Sequence, residues 1–163
     1  MSKSLTITLK INELIYDFQN KAFLTGRSRR SNGMDAEAAS NIQASDDDED
    51  RNQTLRSIQS AYGQLITEMS EYVRQETGNS CDNELIGGDD LSIYLNMPSN
   101  FALHTKDAIV NSVHDYIIAK ALVDWYLITD KADAKEYSDM AALALSNLHK
   151  TFNKRVRPER KTV

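Results

Sequence analysis

The sequence predicts a mainly α protein: a helical bundle with a C-terminal antiparallel helix hairpin and a small two-stranded β element. Apolar residues recur at intervals of three and four over most of the chain, which is the spacing of one helix face. Two short segments instead alternate apolar and polar residues, as half-buried strands do. Proline, which breaks helices, occurs only at Pro98 and Pro158. A chain of 163 residues fits one domain better than two.

The two alternating segments, residues 5–9 and 91–97, are the predicted strands. Pro98 is expected to end the second one, because proline cannot donate a backbone hydrogen bond. A lone strand would leave its backbone groups unpaired, so we expect the two strands to share one small sheet. Their apolar positions are Leu5, Ile7 and Leu9 in the first and Leu91, Ile93, Leu95 and Met97 in the second.

Helical spacing begins directly after the first strand. Gly26 is the expected stop of this helix, since glycine is common just after a helix end. Residues 27–33 are basic and polar and are expected to form a mobile loop, and a short helix is expected over residues 35–44. The apolar residues of the first helix are Ile11, Leu14, Ile15, Phe18 and Ala22, and the basic cluster after it is Arg27, Arg29 and Arg30.

An acidic block at residues 46–50 marks the start of the next helix. Ser45 is the expected N-cap, with Asp48 three residues later as in a capping box. The helix dipole favours negative charge in the first turn. A metal site is the alternative, but the block lacks the glycine and the closing glutamate of an EF-hand loop.

This helix is expected to run to about residue 76. Its apolar stripe lasts under three heptads, and Ile66 and Val73 widen it. A wide face favours packing inside a bundle over a coiled-coil seam, with a subunit interface as the alternative. The stripe consists of Leu55, Ile58, Tyr62, Leu65, Met69 and Tyr72.

The C-terminal half contains a predicted loop and a predicted helix pair. Residues 77–90 are rich in Gly, Asn and Asp, which is typical of a loop. Thr105 is expected to cap a helix that runs to about residue 128, and this helix is apolar over more than half of its circumference. A turn at residues 129–131 leads to a last helix at about residues 132–154. Because the link is so short, these two helices should be antiparallel.

No catalytic or cofactor motif is found in the sequence. The three histidines, His104, His114 and His149, have no carboxylate at metal-ligand spacing, and a lone Cys81 cannot form a structural zinc site. There is no phosphate loop and no dinucleotide fingerprint. Cys81 lies in a polar segment with no base or oxyanion donor marked beside it. We therefore expect a non-enzymatic protein with no cofactor and no metal.

The charge is distributed unevenly along a chain whose net charge is −5. Residues 1–154 are expected to form a single helical domain and residues 155–163 a basic tail. An acidic body with a basic tail suggests that the tail meets an acidic partner. The alternatives are a solvated helix end whose cations complement the helix dipole, and nucleic-acid contact. The candidate docking residues are Lys154, Arg155, Arg157, Arg160 and Lys161.

The sequence gives no sign of membrane insertion. The longest apolar run, residues 140–145, is far shorter than the ~20 residues of a membrane span. The N-terminus lacks the apolar core of a signal peptide. We expect the protein to stay in the cytoplasm of the cell that makes it, or in a particle assembled there.

Residues 105–160 resemble the helical head–tail connector (adaptor) proteins of tailed bacteriophages. The segments that carry the resemblance are AIVNSVHDYIIAKALVDWYLIT, the turn DKADAKEY, the helix SDMAALALSNLHKTF and the polar-basic end NKRVRPERK. The stretch LKINELIYDFQNKAFLTGRS is also similar to the start of proteins from phages and prophages of gut Bacteroidales. The resemblance rests on the layout of the helices.

The resemblance implies a structural virion protein that forms a homo-oligomeric ring between the portal and the tail. By the family pattern, the five cations named above would dock on the portal protein. A further neck or tail protein would be the other partner, and DNA would make passive contact in the channel. The chain departs from the family in its length and in the long helix expected over residues 46–76, which leaves its place in the neck open. The alternative is a nucleic-acid-binding regulatory protein that uses its basic tail, but DNA binders usually show a basic face on their fold.

Overall fold

The fold consists of five helices and a two-stranded sheet within the residues that the computed structural model describes, which are 2–74, 81–88 and 90–157. The predicted mainly α class is therefore confirmed. The strands are β1 (Lys3–Leu9) and β2 (Leu91–Met97), and the helices are α1 (Ile11–Ser31), α2 (Ala36–Ile42), α3 (Asp48–Glu68), α4 (Lys106–Thr129) and α5 (Lys131–Phe152), with a 3-10 turn at Leu103–Thr105.

The two strands pair with each other, as predicted, and their orientation is antiparallel. Leu5 lies opposite Leu95 and Ile7 lies opposite Ile93, in a register of seven consecutive pairs. The alternation of the sequence gives the sheet one apolar face and one polar face. The apolar face belongs to the core, because Ile7 and Ile93 are almost completely buried.

Helix α4 is the centre of the molecule. It contacts α1, α2, α3 and α5, and it is buried on most of its circumference because its apolar residues are not confined to one stripe. Helix α5 packs along α4, which confirms the predicted hairpin. The link between them is the single residue Asp130. Its N–H donates to the carbonyl of Tyr126 (2.8 Å), and its carboxylate accepts from the N–H of Ala132 (3.0 Å), so one residue caps both helices.

Gly26 does not end α1, and this prediction was wrong. The helix continues to Ser31, so residues 27–31 are helical and not a loop. Gly26 is buried where α2 crosses α1. A Cβ at this position would lie 2.7 Å from the carbonyl oxygen of Ala39 and 2.6 Å from Cγ of Gln43. Glycine is therefore present because two backbones approach closely, not because a helix stops. The short helix predicted at residues 35–44 is confirmed as α2.

The start of α3 lies later than predicted. Its N-cap position is Asp47 and not Ser45. The hydroxyl of Ser45 donates to the carboxylates of Asp47 and Asp50, each at 2.8 Å, and its N–H donates to Asp50 (2.8 Å). The acidic block therefore begins the helix as expected, but Ser45 precedes the cap and is bound by the first turn.

The end of α3 lies earlier than predicted. The helix stops at Glu68, because the chain turns at residues 69–72 and continues beside β2. Val73 forms a bridge with Leu95, the N–H of Arg74 donates to the carbonyl of Tyr94 (2.8 Å), and the N–H of Asn96 donates to Tyr72 (2.7 Å). The apolar spacing continues through this change of backbone because Met69, Tyr72 and Val73 still pack on the same core.

Two smaller predictions concern the loops. Residues 81–88 are irregular, as predicted, and residues 77–80 and 89 lie outside the described part of the chain. Thr105 precedes α4, but its side chain does not cap the helix. Its hydroxyl donates to the carbonyl of Ala102 (2.8 Å), because Thr105 belongs to the 3-10 turn that leads into α4.

Candidate partner-docking surface

The beginning of the basic tail is bound to the body of the protein. After α5 ends at Phe152, the chain runs antiparallel to residues 100–102, and Arg155 forms a bridge with Phe101. The N–H of Ala102 donates to the carbonyl of Lys154 (3.2 Å), and the N–H of Val156 donates to the carbonyl of Asn100 (2.8 Å). Residues 154–156 are therefore attached to the fold.

Two buried phenylalanines explain why these segments meet. Phe101 and Phe152 are both fully buried, although one follows β2 and the other ends α5. The ring of Phe152 also packs on Tyr72, with 4.7 Å between the ring centroids. Full burial of a phenylalanine contributes roughly 1.5–3 kcal/mol. The apolar side chains thus bring the two segments together, and the backbone hydrogen bonds then align them.

The candidate cations have different roles. The guanidinium of Arg155 donates to the carbonyls of Phe152 (2.5 Å) and Lys154 (3.2 Å). A cation at a helix C-terminus satisfies unpaired carbonyls and complements the helix dipole. Arg155 therefore fits the alternative interpretation, in which a cation of the tail caps the end of the last helix and does not dock on a partner. Lys154 and Arg157 are exposed, and no described carboxylate forms an ion pair with either. Arg160 and Lys161 lie outside the described residues.

The structure adds three residues to those that the sequence analysis named. The ammonium of Lys3 donates to the carbonyl of Phe101 (2.8 Å), so the start of β1 lies beside the tail. Leu103 is 44% exposed and Val156 is 51% exposed, although both are apolar. Hydrophobic periodicity could not indicate Lys3 or Leu103, because each contributes to this surface through a non-local contact. We call this surface the docking end, and it comprises Lys3, Leu103, Lys154, Arg155, Val156 and Arg157.

A groove of about 500 Å³ lies between α1 and α5. At its base, Arg29 forms an ion pair with Asp133, which is almost completely buried, and the hydroxyls of Thr25 and Tyr137 lie 3.1 Å apart. The ring of Tyr137 stacks on Tyr126, whose burial raises the pKa of its phenol. The groove walls carry Leu24 and Met140, which are each 48% exposed, and Leu143, which is 61% exposed, lines a smaller adjoining pocket that shares Met140.

The residues considered as metal or catalytic candidates have other environments. The Nε2 atom of His114 lies 3.0 Å from a carboxylate oxygen of Asp17, so this histidine joins α4 to α1. Cys81 is exposed on the loop at residues 81–88. Within the described ranges, no three His, Cys, Asp or Glu side chains are grouped closely enough to hold a metal ion.

The described helices also include none with the length and hydrophobicity to cross a membrane. Comparisons of the chain with protein-family models, curated proteins and solved structures found no match.

Proposed function

We propose that the protein is a non-enzymatic structural component of a tailed-phage neck, which forms a ring that joins the portal to the tail. The observation that carries the proposal is the docking end. There, exposed cations and exposed apolar residues are held at the end of the α4–α5 hairpin by backbone hydrogen bonds. The resemblance of residues 105–160 to phage connectors supports the same function.

The composition of the docking end suits a protein partner. Leu103 and Val156 supply apolar area. Lys154 and Arg157 lie close to Val156 in the sequence, and residues 154–156 pair with residues 100–102, which directly precede Leu103. Protein interfaces commonly have an apolar centre and a polar rim. Because residues 154–156 are already bound to residues 100–102, less conformational entropy is lost when a partner binds. An acidic surface on the portal protein would complement the cations.

A ring also needs contacts between neighbouring copies. In a cyclic assembly each subunit uses two different surfaces, one for each neighbour. The groove between α1 and α5 provides a candidate for one of them, because Leu24 and Met140 are exposed on its walls and Leu143 is exposed beside it. The mechanism of such a protein is geometric: copies pack side by side, the docking end binds the portal, and DNA passes through the channel. Its location would be the virion, after assembly in the host cytoplasm.

The proposal is tested by reversing the charges of the docking end. Lys154 and Arg157 are both changed to Glu, while Arg155 is kept because it caps α5. The backbone hydrogen bonds of residues 154–156 do not depend on these side chains, so the fold should be retained. The matched control reverses Lys131 and Lys135, which are exposed in the first turns of α5, at its opposite end. Each variant is scored by complementation for the yield of tailed particles.

We expect the docking-end variant to lose incorporation into particles and the control to retain it. Normal particle yield from the docking-end variant would contradict the proposal. The nucleic-acid alternative predicts a different pattern, in which the same variant loses salt-dependent binding to duplex DNA without any effect on particles. Native mass spectrometry of the purified wild-type chain tests ring formation directly, since a ring gives one closed oligomer larger than a dimer.

A further inference from the structure

Among the residues that the structure describes, none covers the outer edge of β1. In β2, the carbonyl of Tyr94 and the N–H of Asn96 bond to residues 72–74, so they point away from β1. In an antiparallel pair, the N–H and C=O of one residue point to the same side, and residues opposite each other point either both inward or both outward. Ser4 and Thr6, which lie opposite Asn96 and Tyr94, therefore direct their backbone groups away from β2.

The same alternation applies to Thr8, which lies opposite Ser92. Ser4, Thr6 and Thr8 thus present three N–H and three C=O groups on the outer edge. Among the described residues, no backbone or side-chain hydrogen bond reaches these groups. An unpaired row of this kind is a template for another strand.

The two edges of the sheet differ in whether other described residues cover them. The outer edge of β2 is covered, because residues 72–74 pair with residues 94–96 and the hydroxyl of Tyr62 donates to the carbonyl of Ser92 (3.3 Å). Native edge strands are usually protected by proline, bulges, inward charges or short length. Strand β1 has a lysine, another such protection, only at its first position, and residues 4–9 are in unbroken register without a proline, bulge or charged side chain.

We propose that β1 pairs edge to edge, in antiparallel orientation, with β1 of a second copy, which joins two subunits through one four-stranded sheet. With the two-fold axis at Thr6, Ser4 lies opposite the second copy's Thr8 and Thr6 lies opposite its equivalent. This register pairs all six outward backbone groups. It also places Leu5, which is only partly buried in the monomer, beside Ile7 of the second copy on the apolar face.

The sequence of the strand favours this occupant. In the register with Thr6 on the axis, residues 4–8 of the two copies place Ser and Thr opposite Thr on the polar face and Leu opposite Ile on the apolar face. No like charges would oppose each other within residues 4–8. Residues 158–163 of the chain are a poor strand by comparison, because they contain Pro158 and three charged residues. A two-fold contact closes with two copies, whereas a ring requires two different surfaces, so this contact is a different one from the ring contacts of the proposed function.

Disulfide trapping tests the contact. Thr6→Cys is made in a Cys81→Ser background, which removes the natural exposed thiol. Opposing residues in a hydrogen-bonded pair have Cα atoms about 5.5 Å apart, within the range of a disulfide. Ser92→Cys in the same background is the matched control, because Ser92 is exposed on the same face but lies one strand away from the edge. We expect a covalent dimer from Thr6→Cys on mild oxidation, and none from Ser92→Cys.

The second experiment introduces a lysine at the proposed contact and measures the dimer dissociation constant. Thr6→Lys puts two ammonium groups opposite each other across the axis and should raise the dimer dissociation constant by up to roughly fivefold. Ser92→Lys adds the same charge away from the axis and should leave the constant unchanged. Both are measured by sedimentation equilibrium of the full chain.

Several results would overturn the proposal. These are a wild-type chain that shows no dimer, equal cross-linking at Thr6 and Ser92, or an unchanged dissociation constant for Thr6→Lys. An internal disulfide in a monomeric Thr6→Cys/Thr162→Cys chain would show that the C-terminus of the same chain covers the edge, which also overturns it.

Discussion

Replacing Gly26 by alanine tests the crossing of α1 and α2. Inside a helix, alanine is favoured over glycine by about 1 kcal/mol. At Gly26 this gain is opposed by the new methyl group, which would lie 2.7 Å from the carbonyl oxygen of Ala39 and 2.6 Å from Cγ of Gln43. The side chain of Gln43 can move, but the carbonyl belongs to the backbone of α2 and can move only if the helix does. Overpacking of this kind costs about 1–3 kcal/mol.

Gly63 provides the matched control, because it lies within α3 and no atom comes within 4 Å of a Cβ built there. Gly63→Ala should therefore stabilise the protein by up to about 1 kcal/mol. The free energies of unfolding of the two variants should differ by about 1–3 kcal/mol, which is the cost of the crossing alone. Urea denaturation measures both. If both substitutions stabilise the protein equally, α1 and α2 do not approach each other at Gly26, and the explanation given for this residue is wrong.

Three further measurements address the ion pair, a half-buried carboxylate and metal binding. Arg29→Ala leaves the buried carboxylate of Asp133 without its partner and should lower the free energy of unfolding by about 3 kcal/mol. This is the low end for a buried ion pair, because the Arg29 side chain is 37% exposed. A loss below about 1 kcal/mol in urea denaturation would show that water replaces the guanidinium. Burial raises the pKa of Asp124, while the charge of Lys120 lowers it by a smaller amount. The ionised carboxylate therefore lowers the free energy of unfolding at pH values above the folded-state pKa. This loss disappears as the pH falls below the pKa of the unfolded state. Asp124→Asn should accordingly stabilise the protein by about 0.5 kcal/mol or less at pH 7 and should have no effect at pH 3, whereas a loss of stability at pH 7 would contradict this sign. Elemental analysis of the purified chain should find less than one tightly bound transition-metal ion per molecule.

Some elements could be predicted from the sequence because their burial is local and periodic. Residues 5–9 and 91–97 alternate because one face of the sheet is buried, and the pairing followed from their need for backbone partners. Helix α4 was recognisable because its apolar residues cover most of its circumference. The hairpin followed from the short link, which permits only an antiparallel pair.

The errors arose where a local signal had a non-local cause. Gly26 has the sequence signature of a helix end, but the crossing of α2 requires it. The stripe of α3 continues through Met69 and Tyr72 because these side chains remain in the core after the helix has become a turn. The spacing of the apolar residues therefore predicted correctly which side chains are buried, but it predicted the backbone conformation incorrectly.

The candidate docking surface was predictable only in part. The cations Lys154, Arg155 and Arg157 stand out in the sequence because the rest of the chain is acidic. The pairing of residues 154–156 with residues 100–102 has no periodic signature, because it consists of a single bridge between segments about fifty residues apart. The contributions of Lys3 and Leu103 depend on that pairing and could not be recognised before the fold was known.

The single-residue link at Asp130 also constrains how the length of the chain can change in evolution. At 3.6 residues per turn, one residue inserted there would rotate α5 by about 100° about its axis. The buried stripe that includes Ala141 and Leu148 would then leave the core, and polar residues would enter it. The loop at residues 81–88 imposes no such rotation on a helix. Insertions and deletions in related chains should therefore occur in that loop and be absent at Asp130.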